Sequence, residues 1–175
     1  PLMYGLQRWI SGLGKKPGGG QQNLMRQASA GAEVALDSPE ATRVLERFEE
    51  NLRMIVRGYR AAGTPVILGE LSSNLLFPPF APRGPKGNGG PAEAIASGRL
   101  AVADSLVTKG LAADSTDAFF LYWRGRLALA TGDTAGAGRS LARARDHDRL
   151  KFRAPGQINK IMREIGSEAS VPVLP

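Results

Sequence analysis

Residues 117–148 read DAFFLYWRGRLALATGDTAGAGRSLARARDHD, and this stretch decides how the middle of the chain folds. Apolar residues recur at helical spacing on both sides of Gly132-Asp133, a dipeptide that ends one helix and turns the chain. Gly125 leaves room for a second helix to approach closely. Ala137 and Ala144 lie two turns apart on one face of that second helix, with the larger Leu141 between them. The pattern predicts helices over about 116–131 and 134–146, packed as a hairpin.

The set Gly125, Gly132, Ala137, Leu141 and Ala144 matches the small, turn-glycine, small, large and small positions of a tetratricopeptide (TPR) repeat. The segment from Asp117 to Asp148 therefore resembles one such repeat, and a generic αα-hairpin is the alternative. One repeat cannot bury its apolar face alone. The preceding segment, Ala94 to Ala113, is accordingly read as a degenerate repeat or a partner helix, within a helix expected over about 91–112. Phe119, Phe120, Tyr122 and Trp123 gather aromatic area at the first helix; core packing is the first reading, a peptide-binding groove the second.

Outward from the hairpin the pattern changes. Ser38 suits an N-cap, Pro39 the first helical position and Glu40 the positive helix end. Leu45, Phe48, Leu52, Ile55, Val56 and Tyr59 then form one helical stripe, which Gly63 ends. Val66-Ile67-Leu68-Gly69 follows and reads as a strand buried on both faces. The same order recurs later. Pro155 opens a helix with Ile158, Ile161, Met162 and Ile165 on one face, Gly166 closes it, and Val171-Pro172-Val173-Leu174 reads as the next strand. Helix, tight turn and buried strand make half a unit of a parallel α/β sheet. Short helices are expected at 1–13 and 23–31, a loop at 14–22 and a short strand from Glu33 to Leu36. The chain thus divides into an α/β part (1–90), a TPR-like helical insertion (91–150) and a return to the α/β part (151–175).

Composition sets bounds on function. The 175 residues hold 42% apolar side chains, enough for a packed core, and no cysteine, which removes disulfides, thiolate zinc sites and a thiol nucleophile. The net charge of +7 comes largely from arginines spread along helices, among them Arg43, Arg47, Arg53, Arg57, Arg60, Arg139, Arg143 and Arg145. No motif of a specific nucleic-acid binder accompanies them, so they read as solvated helix faces paired with nearby Glu and Asp. No apolar run reaches the length of a membrane span, and the first ten residues do not read as a signal peptide. The compartment stays open. No cofactor is expected.

The Gly-rich stretch GKKPGGGQQ (14–22) lacks the order of a phosphate-binding loop and reads as a flexible loop. His147, the single histidine, sits between Asp146 and Asp148; adjacent helical residues do not face one another, so the trio is no metal or catalytic cluster, and His147 reads as an exposed cap. No metal site is expected. The stretch Gly69 to Pro82, GELSSNLLFPPFAP, leaves the C-terminal end of a buried strand, where open α/β sheets place ligands. There Asn74 has two readings: a side-chain amide aimed at a developing oxyanion, or a cap of its own turn.

The run NLRMIVRGYRAAGTPVILGELSSNLLFPPFAP, followed by a helical insertion and by DHDRLKFRAPGQINKIMREI, resembles the central block of SGNH/GDSL-type hydrolases that carry a TPR insertion. The resemblance covers about residues 22–174. It implies a flavodoxin-like, SGNH-type three-layer α/β fragment with an inserted all-α hairpin. It implies a serine esterase acting on an ester or acylated-glycan substrate, with Asn74 as the oxyanion-hole residue. The glycine usual two residues before that Asn is Ser72 here. The Ser block is expected upstream of Pro1 and the Asp-x-x-His block downstream of Pro175, so this chain alone is expected to be inactive. Arg153 and Asn159 match polar positions of the subgroup, either anchoring the insertion or touching substrate. The alternative is a non-catalytic scaffold whose hairpin binds a protein partner.

Overall fold

The computed structural model describes residues 33–80 and 90–175. The helices expected at 1–13 and 23–31, the 14–22 loop and the Gly/Pro/Lys-rich half of the later loop lie outside the described residues. In chain order the elements are α1 (Pro39–Ala61), β1 (Leu68–Gly69), α2 (Pro91–Ala96), α3 (Leu100–Ala113), α4 (Ala118–Ala130), α5 (Thr134–His147), α6 (Gly156–Ala169) and β2 (Val173–Leu174).

Helix α1 begins as its sequence dictates. Ser38 Oγ accepts the Ala41 N–H at 3.2 Å, Pro39 needs no donor, and Glu40 sits at the positive end. Gly63 turns the chain with φ +69. Leu45, Phe48, Leu52 and Val56 face α6, which answers with Ile158, Ile161, Met162 and Ile165. Val56 and Ile165 are almost fully enclosed. Burying side chains of this size contributes about 1.5–3 kcal/mol each. Ile55 and Tyr59, expected in the stripe, are about half exposed instead.

Beneath this helix pair lie β1 and β2, parallel, with Leu68 opposite Val173 and Gly69 opposite Leu174. Leu68 and Val173 join the helical core, while Ile67 (64% exposed) and Leu174 (55%) face away from it. Here the expected fold is corrected. A flavodoxin-like three-layer parallel sheet requires several strands with helices on both faces. The described residues hold two parallel strands of two residues each, 63% of them are helical, and the helical hairpins fit an all-α fold. Each short apolar run pairs only with the other, at two positions, so no wider sheet is built. Val66–Gly69 is accordingly buried on one face only, and residues 33–36 form no strand.

Glycine 166 corrects a second expectation. It does not end α6, which runs on to Ala169 and closes at Ser170 in the left-handed conformation (φ 51). A Cβ at Gly166 would sit 2.2 Å from Val173 Cγ2 and 3.0 Å from the Val171 carbonyl oxygen. Its missing side chain is what lets the helix lie on β2.

Between the strands all regular structure among the described residues is helical. The single helix expected over 91–112 is two, α2 and α3, split at Gly98 (φ +72). Helices α4 and α5 form the predicted hairpin, turned at Gly132 (φ +83), with Asp133 capping α5 by accepting the Gly136 N–H at 2.8 Å. Ala137, Leu141 and Ala144 are buried against Gly125, Leu121 and Tyr122. Ala94, Ala103 and Leu127 make a second small cluster that ties α2 and α3 to α4. No helix among the described residues is long and apolar enough to cross a membrane.

Candidate functional site

The stretch from Glu70 to Phe80 leaves β1 without regular secondary structure, yet side chains from three other places hold it. Next to the strand, Asn159 of α6 does what a neighbouring strand would do. Its Oδ1 accepts the Leu71 N–H at 2.9 Å and its Nδ2 donates to the Leu71 carbonyl at 3.0 Å. Arg163, one turn further along α6, pairs with Glu70. Leu75 drops into the core of the α4–α5 hairpin. Tyr122 of α4 donates its hydroxyl proton to the Leu76 carbonyl at 3.0 Å and accepts from Arg126.

The last anchor comes from the segment between α5 and α6. Asp148 is 1% exposed, and its Oδ2 accepts the Phe80 N–H at 2.8 Å. Arg153 lies beside it, with Nη2 at 3.3 Å from the same carboxylate oxygen. Arg153 Nη1 donates to the Phe77 carbonyl at 2.8 Å and to the Asn74 carbonyl at 3.3 Å. The guanidinium also sits over the Phe80 ring, 5.6 Å from its centroid. Arg153 Nε, and Ser73 Oγ in the loop itself, are buried without a hydrogen-bond partner among the described residues.

Asn74 stands at the centre of this held loop and is exposed. Its Oδ1 accepts the Leu76 N–H at 2.9 Å, and its carbonyl accepts the Phe77 N–H at 3.3 Å. The side chain therefore caps its own turn, as the second of the two sequence readings has it. That bond also orients the amide: with Oδ1 occupied, Nδ2 has no partner among the described residues. Capping and donation are thus compatible. Around Asn74 the loop exposes apolar side chains: Leu71, Leu76, Phe77 and Phe80. Phe80 stacks on Phe77 at 5.1 Å and meets Phe152 edge-on at 5.0 Å.

The Asp146-His147-Asp148 trio separates as helical geometry requires. Asp146 accepts the Gly156 N–H at 2.8 Å and pairs with Arg145, whereas Asp148 turns to the loop. His147 points instead into a cavity of about 40 Å³ lined by Asp37, Asp114, Asp117 and Arg149, room for water rather than substrate. It is half-buried rather than exposed. Burial, with Arg143 and Lys151 nearby, holds its pKa below the usual 6.5 despite Asp146 and Asp37. No group of three His, Asp or Glu able to hold a metal occurs among the described residues.

Sequence reasoning singled out Asn74, Arg153 and Asn159, and the structure brings all three to one loop. It missed Asp148 as an anchor and the aromatic trio Phe77, Phe80 and Phe152. The paired phenylalanines of FPPF (77–80) and the Phe-Arg at 152–153 were the available signal. No protein-family model, curated protein or solved structure matches the chain.

Proposed function

We propose that these residues carry the oxyanion-binding part of a serine-dependent esterase of the SGNH/GDSL kind. Asn74 Nδ2–H would donate to the oxygen that becomes negative as a nucleophile adds to an ester carbonyl. The observation that carries this reading is the amide of Asn74, with Oδ1 tied to Leu76 N–H and Nδ2 without a partner among the described residues, on a loop anchored at Leu71, Leu76, Phe77 and Phe80. A donor held before the charge develops needs no reorganisation during the reaction, which is where such sites gain their rate. The exposed Leu71, Leu76, Phe77 and Phe80 offer an apolar surface for an acyl group beside that donor. The substrate class is an ester or an acylated glycan.

The nucleophilic Ser, the His base and the Asp that orients it are assigned to polypeptide outside these 175 residues. His147, the only histidine here, is turned into the cavity of Asp37, Asp114 and Asp117. In the complete polypeptide, Asn74→Ala should lower kcat on a short-chain p-nitrophenyl ester by roughly 10²–10³-fold, the usual effect of losing one such donor. An unchanged kcat would sink the oxyanion role. Ester hydrolysis by the 175-residue chain alone would sink the placement of Ser and His.

A second reading is a non-catalytic scaffold whose TPR-like helices bind a protein partner. It is favoured by an open groove of about 400 Å³ between α3 and α4, lined by Leu100, Ala101, Asp104, Arg124 and Leu127. Partner binding lost on Ala101→Arg, at an exposed position of that groove, with Asn74→Ala silent, would select it.

A further inference from the structure

Five side chains hold the Asn74 loop (Asn159, Arg163, Tyr122, Asp148 and Arg153), but one of them reaches the peptide of Asn74 itself. A single nitrogen, Arg153 Nη1, contacts the carbonyls of both Asn74 and Phe77. These residues are the two ends of one turn, because the Phe77 N–H also donates to the Asn74 carbonyl. The other arm of the guanidinium is fixed by Asp148, whose carboxylate also takes the Phe80 N–H. The side chains of Arg153 and Asp148 are 11% and 2% exposed, so the pair is withdrawn from water. We infer that Arg153 is the positioning residue for Asn74: it locks the Asn74–Phe77 turn and thereby fixes the direction of the Asn74 amide, with Asp148 holding the guanidinium in place.

The chemistry supports a geometric role over a stabilising one. Desolvating two charges costs about as much as their attraction returns, so a buried pair contributes little net stability. What it supplies is a fixed direction. The planar fork delivers several N–H groups in set directions, whereas an ammonium is a point charge. Nη2 meets Asp148 while Nη1 meets both carbonyls of the turn, so Arg153→Lys keeps a charge but has one nitrogen where two are used, and loses the simultaneous hold on Asp148 and the turn. The effect on rate rests on the oxyanion role proposed above; the effect on the loop does not.

The test has two arms. In the first, amide hydrogen exchange is measured by NMR on the 175-residue chain. Arg153→Lys should speed exchange at Leu76 N–H, the donor held by Asn74 Oδ1, and leave the α4–α5 hairpin amides as they were. Wild-type protection at Leu76 would overturn the inference. Where Arg153→Lys does not fold, the double variant Arg153→Met, Asp148→Asn removes both charges and is measured in the same way.

In the second arm, the complete polypeptide is assayed on the same p-nitrophenyl ester. Arg153→Lys should lower kcat by roughly 10–10²-fold, the scale of an ångström misplacement, with KM unchanged. Added to Asn74→Ala, it should cost nothing further, because both changes remove one interaction. Independent, multiplying losses would overturn the inference while leaving Asn74 its role. If Asn74→Ala alone leaves kcat intact, the hydrolase reading fails, and hydrogen exchange still decides whether Arg153 sets the turn.

Discussion

Two glycines of the hairpin, thirteen positions apart, should respond to the same substitution in opposite directions. Gly138 lies on the exposed side of α5, and a Cβ there meets nothing within 4 Å. Gly138→Ala should therefore gain the ordinary helix-propensity difference, about 1 kcal/mol. Gly125 sits at the crossing of α4 and α5. Its added Cβ would lie 2.5 Å from Leu141 Cγ, 2.8 Å from Leu141 Cδ2 and 3.2 Å from the Ala137 carbonyl oxygen. Carbon atoms prefer about 3.5–4.0 Å, so the helices must part by about an ångström or Leu141 must leave its rotamer. Leu141 is 4% exposed and packed on Leu121, Tyr122 and Ala144, so it has nowhere to swing. Overpacking of this kind costs about 1–3 kcal/mol. At this depth the upper half of that range applies, and after the propensity gain Gly125→Ala should be destabilised by about 1–2 kcal/mol. With an m-value of about 2 kcal/mol/M, the urea midpoint by far-UV circular dichroism should rise about 0.5 M for Gly138→Ala and fall about 0.5–1 M for Gly125→Ala. A Gly125→Ala midpoint at or above wild type would show that the close crossing is not what requires glycine.

Two further changes compare a buried ion pair with an exposed one. Asp148→Ala strands the Arg153 guanidinium and the Phe80 N–H in a dry site and should cost about 3–5 kcal/mol by urea unfolding; Glu168→Ala, at the exposed end of its pair with Arg53, should shift the midpoint little. His147 has its pKa lowered in the fold, so the unfolded chain binds the proton more readily. Its contribution to stability is then full above about pH 6.5 and is lost as pH falls through the lower folded pKa. Replacing His147 by Gln should flatten that part of a stability–pH curve, and a slope left unchanged would mean the histidine is not the group responsible.

Local grammar was the legible part. Ser38-Pro39-Glu40 named the start of α1, and Gly132-Asp133 named the turn of the hairpin, because caps and turns depend on residues within four positions of each other. Small and large residues in alternation named the inner face of α5 for the same reason. Gly166 shows where this stops. A glycine near the end of a helical stripe reads equally as a terminator or as a gap for a neighbour, and only the position of Val173 decides between them. The number of strands was illegible on the same grounds. Val66-Ile67-Leu68 has strand propensity, but nothing within three residues states whether a layer covers Ile67. Its 64% exposure is a property of what lies across the sheet.

The candidate site divides along the same line. Asn74 was visible, because an Asn in a loop after an apolar run carries its chemistry in its own side chain. What makes the loop a defined site was not. Asp148 and Arg153 reach it across 68 to 79 positions of sequence, with the whole helical segment between them. That separation has a structural consequence. The hairpin leaves the chain after the loop and returns it at Asp148, directly against Phe80, while Tyr122 on its first helix takes the Leu76 carbonyl. The helical segment therefore helps to hold the Asn74 loop in place. A change that loosened α4 against α5, such as Gly125→Ala, should reach the loop through Tyr122 and Leu75 before it reaches β1, which is held from the other side by Asn159 and the α1–α6 core.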